Sequence, residues 1–174
     1  MLPSPTPTEV SFLTAAVIHA VASVAWTCGA LTGLKREARR AMLYWATWAA
    51  LSSITWVVLA TRIDSPLLIG IVCGVLGACA LQRGIRIHIG RSPPWRTHMT
   101  LLAVVSAADW LGADPAYRNL PVAINIGALE WLYFAMTRDL YGHARADVRM
   151  RWPSLLALPV LLGAMVFASR SLRA

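Results

Sequence analysis

The sequence predicts an all-α integral membrane protein: a compact bundle of six transmembrane helices, with the N-terminus and C-terminus both outside. Three observations lead there. Of the 174 residues, 57% are hydrophobic and 14% charged, too apolar for a water-soluble domain of this length. The apolar residues fall into six runs separated by short polar connections, and at about 20 residues per crossing six helices use most of the chain. Basic residues are concentrated in alternate connections, the pattern that orients a multi-pass protein. A single membrane domain over residues 1–174 is expected, with no room for a separate soluble domain.

The first run covers residues 10–34 and ends in the basic connection Lys35, Arg36, Arg39 and Arg40. No basic residue precedes it, so it lacks the pattern of a cleaved signal peptide and is expected to stay. The second, 41–61, stops at Arg62-Ile63-Asp64-Ser65-Pro66, whose proline suits a helix start. The third, 67–89, carries Gly70, Gly74 and Gly77, small residues that allow close helix approach, and continues as a basic tail to Pro93-Pro94. The fourth, 98–111, is short. The fifth, 120–137, follows the turn Gly112-Ala113-Asp114-Pro115 and is trailed by the charged stretch Arg138 to Arg151. The sixth, 152–168, has Pro153 near its start and Pro159 inside, where a kink is expected. No internal repeat is evident.

Lys and Arg number four in each of 35–40, 83–96 and 138–151, and four in all other positions together. The three rich connections are therefore expected in the cytoplasm. The formal charge of +8 raises nucleic acid as a partner. It is excluded, because the arginines cap apolar runs and do not form a stripe interleaved with stacking aromatics. Cys28, Cys73 and Cys79 lie within apolar runs without CxxC spacing, which argues against a disulfide or zinc framework. The tryptophans read as belt or packing residues.

Ionisable groups at mid-membrane depth are the first functional candidates. His19 and Glu130 lie near the middle of the first and fifth helices, at matched depth. They are expected to pair in the interior, with separate satisfaction by Ser23, Ser52, Thr55 or Asn125 as the alternative. Asp109, near the outer end of the fourth helix, could pair with Arg118. Tyr44, Trp48, Ser52 and Thr55 form a polar-aromatic stripe at helical spacing on the second helix. Together His19, Glu130, Asp109, Arg118, Tyr44, Trp48 and Ser52 are candidates for ligand binding or proton coupling. Haem ligation would need a second histidine at the depth of His19, and His88, His98 and His143 are all expected near helix ends. No metal or cofactor is implied, and no hydrolase, metalloprotease or phosphate-loop motif occurs, so no enzyme is expected.

Four segments stand out: Arg40-Ala41-Met42-Leu43-Tyr44-Trp45-Ala46, the run from Val58 through Asp64-Ser65-Pro66-Leu67, Gly84-Ile85-Arg86 with Gly90-Arg91, and Asp114-Pro115-Ala116-Tyr117-Arg118. Together they resemble the multi-pass N-terminal sensor regions of bacterial diguanylate cyclases and related sensor kinases. The resemblance implies a signalling module in the bacterial inner membrane. It carries over no catalytic residue, because neither a GGDEF-type motif nor a kinase motif is present; the expectation is a sensor region without its final helix and output domain, or a stand-alone protein sharing the architecture. The expected partners are membrane lipids, a small apolar or amphipathic ligand, and a membrane protein or a second copy of the chain. A small transporter or channel subunit using His19 and Glu130, and a membrane immunity or accessory protein, are the alternatives.

Overall fold

The computed structural model describes residues 6–32, 35–61, 66–117 and 119–146, with only the backbone described at 66–72, 144 and 146. The sixth predicted helix, 152–168, and both chain ends lie outside the described residues. Among those residues the protein is all-helical. The elements are α1 (Pro7–Leu31), α2 (Arg36–Thr61), α3 (Pro66–His88), α4 (Trp95–Leu111), a 3-10 turn at Pro115–Tyr117 and α5 (Leu120–Ala146). Three segments are long and apolar enough to cross a membrane: Pro7–Leu31, Arg36–Thr61 and Pro115–His143.

Helix ends differ from the sequence reading for local reasons. α1 starts earlier because Thr6 caps it: its hydroxyl accepts from Glu9 N–H while the Glu9 carboxylate accepts from Thr6 N–H, a capping box followed by proline at the first helical position. α2 takes in Arg36, Arg39 and Arg40, and α5 continues past residue 137 through Arg138, Asp139 and Arg145. Charged residues end an apolar run without ending a helix, since the backbone ladder can continue into the polar interfacial zone.

The chain divides into two compact units, Met1–Leu81 and Gln82–Ala174. In the first, α1 and α2 form an antiparallel hairpin held by close packing of small side chains. Ala16 and Ala30 of α1 and Ala41, Ala46, Ala49 and Ala60 of α2 are buried. The opposite face of α1 exposes Val10, Leu13, Val17, Val21 and Val24. Small residues inward and large aliphatic ones outward invert the water-soluble pattern and suit a lipid surround. On α3, Gly74 lies beside Thr55, and Gly77 lies against Trp48 and Leu51 of α2. The glycines thus serve close helix approach; for Gly70 only the helical backbone is described.

The paired helices carry a thirty-residue repeat. Ala16-x3-Ala20-x2-Ser23-x2-Trp26-x3-Ala30 recurs thirty residues later as Ala46-x3-Ala50-x2-Ser53-x2-Trp56-x3-Ala60. The contacts follow the same relation. Ser23 donates to the Ala46 carbonyl at 2.9 Å, and Ser53 donates to the Ala16 carbonyl at 2.8 Å. Each bond maps onto the other by the thirty-residue shift, so the hairpin has a local pseudo-two-fold axis.

In the second unit, one stripe of α5 is buried: Asn125, Ala128, Leu132, Ala135, Met136 and Asp139. It is apolar in the middle and polar at both ends. The α4–α5 turn is tight, because a Cβ on Gly112 would overlap the Pro121 ring.

Candidate functional site

The centre of the first unit is built around His19. Its Nδ1 lies 2.8 Å from the Ala15 carbonyl, and since a carbonyl only accepts, Nδ1 carries a hydrogen and donates. The ring stands edge-on to Trp48 at 5.5 Å and tilted to Trp56 at 6.3 Å, and Trp56 in turn stacks on Phe12 at 5.7 Å. The thirty-residue shift carries His19 onto Ala49. The hairpin therefore breaks its own symmetry with an imidazole midway between the two serine bonds.

The second unit holds a polar cluster where α3 ends, α4 begins and α5 finishes. Gly90, at φ +73°, closes α3: Arg91 N–H donates to the Arg86 carbonyl at 2.7 Å and Gly90 N–H to the Ile87 carbonyl at 3.1 Å. This pair is the Schellman arrangement. It commonly brings together apolar side chains on the third-last helical residue and the residue after the glycine; here both are arginines, and both reach Asp139. Arg91 donates to Asp139 Oδ1 at 3.0 Å, and Arg86 Nε lies 3.5 Å from Oδ2. Asp139 is 3% exposed, so its charge is balanced within the cluster.

One turn earlier on α3, Gln82 and Arg83 hold His98 of α4. Arg83 Nε donates to His98 Nδ1 at 3.1 Å, and His98 Nε2 lies 2.6 Å from Gln82 Oε1. A guanidinium has no acceptor, so Nδ1 must be bare and Nε2 must carry the hydrogen. Gln82 and His98 are each 1% exposed. At the other end of α5, Asn125 Nδ2 donates to the Pro121 carbonyl at 2.8 Å and to Asp109 Oδ1 at 3.3 Å.

Of the sequence candidates, His19 and Trp48 come together. Tyr44 and Ser52 are half-buried on α2, and Glu130 is half-buried on α5. His19 belongs to the first unit and Glu130 to the second. Asp109 is bonded to Asn125, and Arg118 lies outside the described residues. The sequence reading missed the Asp139–Arg86–Arg91 and Gln82–His98–Arg83 groups. The available signal is Gly90 between arginines, a helix-ending glycine inside the basic tail. No protein-family model, curated protein or solved structure matches the chain.

Proposed function

We propose that this chain is a non-enzymatic sensor or signalling module of the bacterial inner membrane, with six crossings and both termini outside. It binds a small amphipathic ligand or a membrane-protein partner beside the α1–α2 hairpin. The observation behind this reading is His19 set between Trp48 and Trp56, with Tyr44 and Ser52 half-buried on the same helix as the tryptophans. An imidazole beside aromatic faces offers one polar contact within an apolar wall, the composition of small-ligand sites. The response would be a shift between two helix packings, driven by unequal affinity for them. The likeness to sensor regions of diguanylate cyclases agrees with this role.

A photo-crosslinking residue at Ser52, activated in intact cells, tests the reading. A discrete adduct that is lost in His19→Gln supports it. Adducts to bulk lipid alone, unchanged in His19→Gln, would reject it.

A transporter reading draws on one specific feature, the inverted likeness of α1 and α2, since inverted repeats build many transporters. Proton flux into proteoliposomes that depends on His19 would favour it over sensing.

A further inference from the structure

One exposed face of α5 changes character along its length. Trp131 and Phe134, 44% and 59% exposed, are followed on the same face by Arg138, Tyr141 and Arg145, all exposed. The spacing of three, four, three and four residues keeps the five in line along about 21 Å of helix. Arg145 lies over the Tyr141 ring, 5.3 Å from its centre. The same end of the unit carries Arg83, Arg86, Arg91 and Arg96, and Asp139 is the one carboxylate within 82–98 and 138–146. Asp139 is buried and engaged by Arg86 and Arg91, so it does not offset Arg138 and Arg145.

We propose that this face is a binding site for an anionic phospholipid, whose acyl chain lies along Trp131 and Phe134 and whose headgroup phosphate is held by Arg138 and Arg145. An apolar aromatic wall that passes into guanidiniums with a tyrosine between them follows the order of a lipid from tail to phosphate. Tyr141 lies two residues before the end of the apolar span Pro115–His143, and span ends are where amphipathic rings prefer the membrane interface. A soluble phosphate would use the arginines but gain nothing from the aromatic half, so the paired halves favour lipid. The proposal rests on the membrane placement of α5 and not on the sensing role.

The full chain is purified in a neutral detergent and titrated with phosphatidylglycerol or phosphatidylcholine, with bound lipid counted by native mass spectrometry. Phosphatidylglycerol should bind more tightly, and Arg138→Gln/Arg145→Gln should remove about thirtyfold of its affinity, from about one kcal/mol per basic residue. Phe134→Ala, which keeps every charge, should weaken phosphatidylglycerol and phosphatidylcholine alike. Equal binding of the two lipids by the unaltered chain would overturn the proposal, as would full retention of phosphatidylglycerol by the double variant. Displacement of phosphatidylglycerol by equimolar inorganic phosphate would also overturn it, by showing a simple anion site. Should the double variant fail to fold, Arg145→Gln alone carries the same test with about a fivefold loss. Failure of the chain to enter phosphatidylcholine vesicles would instead count against the membrane reading itself.

Discussion

Ser23 and Ser53 stand thirty residues apart in the chain, and each donates its hydroxyl to a backbone carbonyl of the other's helix. Because the two bonds are related by the local axis of the α1–α2 hairpin, their removal should have matching effects. Ser23→Ala and Ser53→Ala should each lower stability by about 0.6 kcal/mol, the usual size of an interhelical side-chain bond in a bilayer. Reversible unfolding in mixed micelles measures this. A large effect at one serine with none at the other would show that the symmetry is only in the sequence.

Asp139 lies buried against two arginines from α3 and its cap. Asp139→Ala should cost about 1–3 kcal/mol, because it leaves the half-buried Arg86 without its counter-charge. The expected readout is a lower thermal midpoint together with faster proteolysis near Gly90.

Gly90 has a backbone conformation that other residues adopt at a cost of about 1–2 kcal/mol. Gly90→Ala should lose that amount although no atom lies near its added Cβ. A double-mutant cycle with Arg91→Gln should be non-additive, because the cap sets Arg91 beside Arg86. Strict additivity would separate the turn from the ion pairs.

His19 and His98 should be opposite tautomers when neutral. His19 donates from Nδ1 to a carbonyl, whereas His98 accepts at Nδ1 from Arg83 and donates from Nε2 to Gln82. Nitrogen-15 spectra of selectively labelled protein distinguish the two forms. Gln82→Leu should cost about 1–3 kcal/mol by leaving the His98 Nε2–H without an acceptor.

The orientation is tested by cysteine labelling at Thr6, Ser92 and Ser171, with the native cysteines replaced. In the proposed topology Ser92 is cytoplasmic and the other two positions lie outside. Labelling of Ser92 by an impermeant reagent from outside would reverse the assignment.

The sequence announces its helices clearly because apolar run length is read directly, and each of the first five predicted runs overlaps a described helix. The ends were less legible. Arg36 to Arg40 and Arg138 to Arg145 look like loop by charge, yet they are helical because a charged side chain at a membrane boundary can reach water while its backbone stays in the ladder. His19 stood out by its depth, but its aromatic neighbours Trp48 and Trp56 did not, because the sequence does not say which face of α2 meets α1. The group around Asp139 did not stand out, because its partners Arg86 and Arg91 also belong to the topology signal. Charge counting treats them as two equal cations, whereas the glycine between them turns the chain so that both meet one carboxylate. The thirty-residue repeat stayed hidden for another reason: its conserved positions are mostly alanines, which gain meaning only when the facing helix is known.

The buried stripe of α5 ends in Asn125 on one side and Asp139 on the other, with only apolar residues between them. Asn125 is bonded to Asp109 of α4, and Asp139 is bonded to the end of α3 and its cap. Sliding α5 along its axis by one turn would drag an amide or a carboxylate into the apolar middle and break the bonds at both ends together. The two anchors therefore act as a lock on α5: piston-like travel against α4 and the end of α3 is opposed at both ends, and the helix shifts together with these neighbours rather than past them.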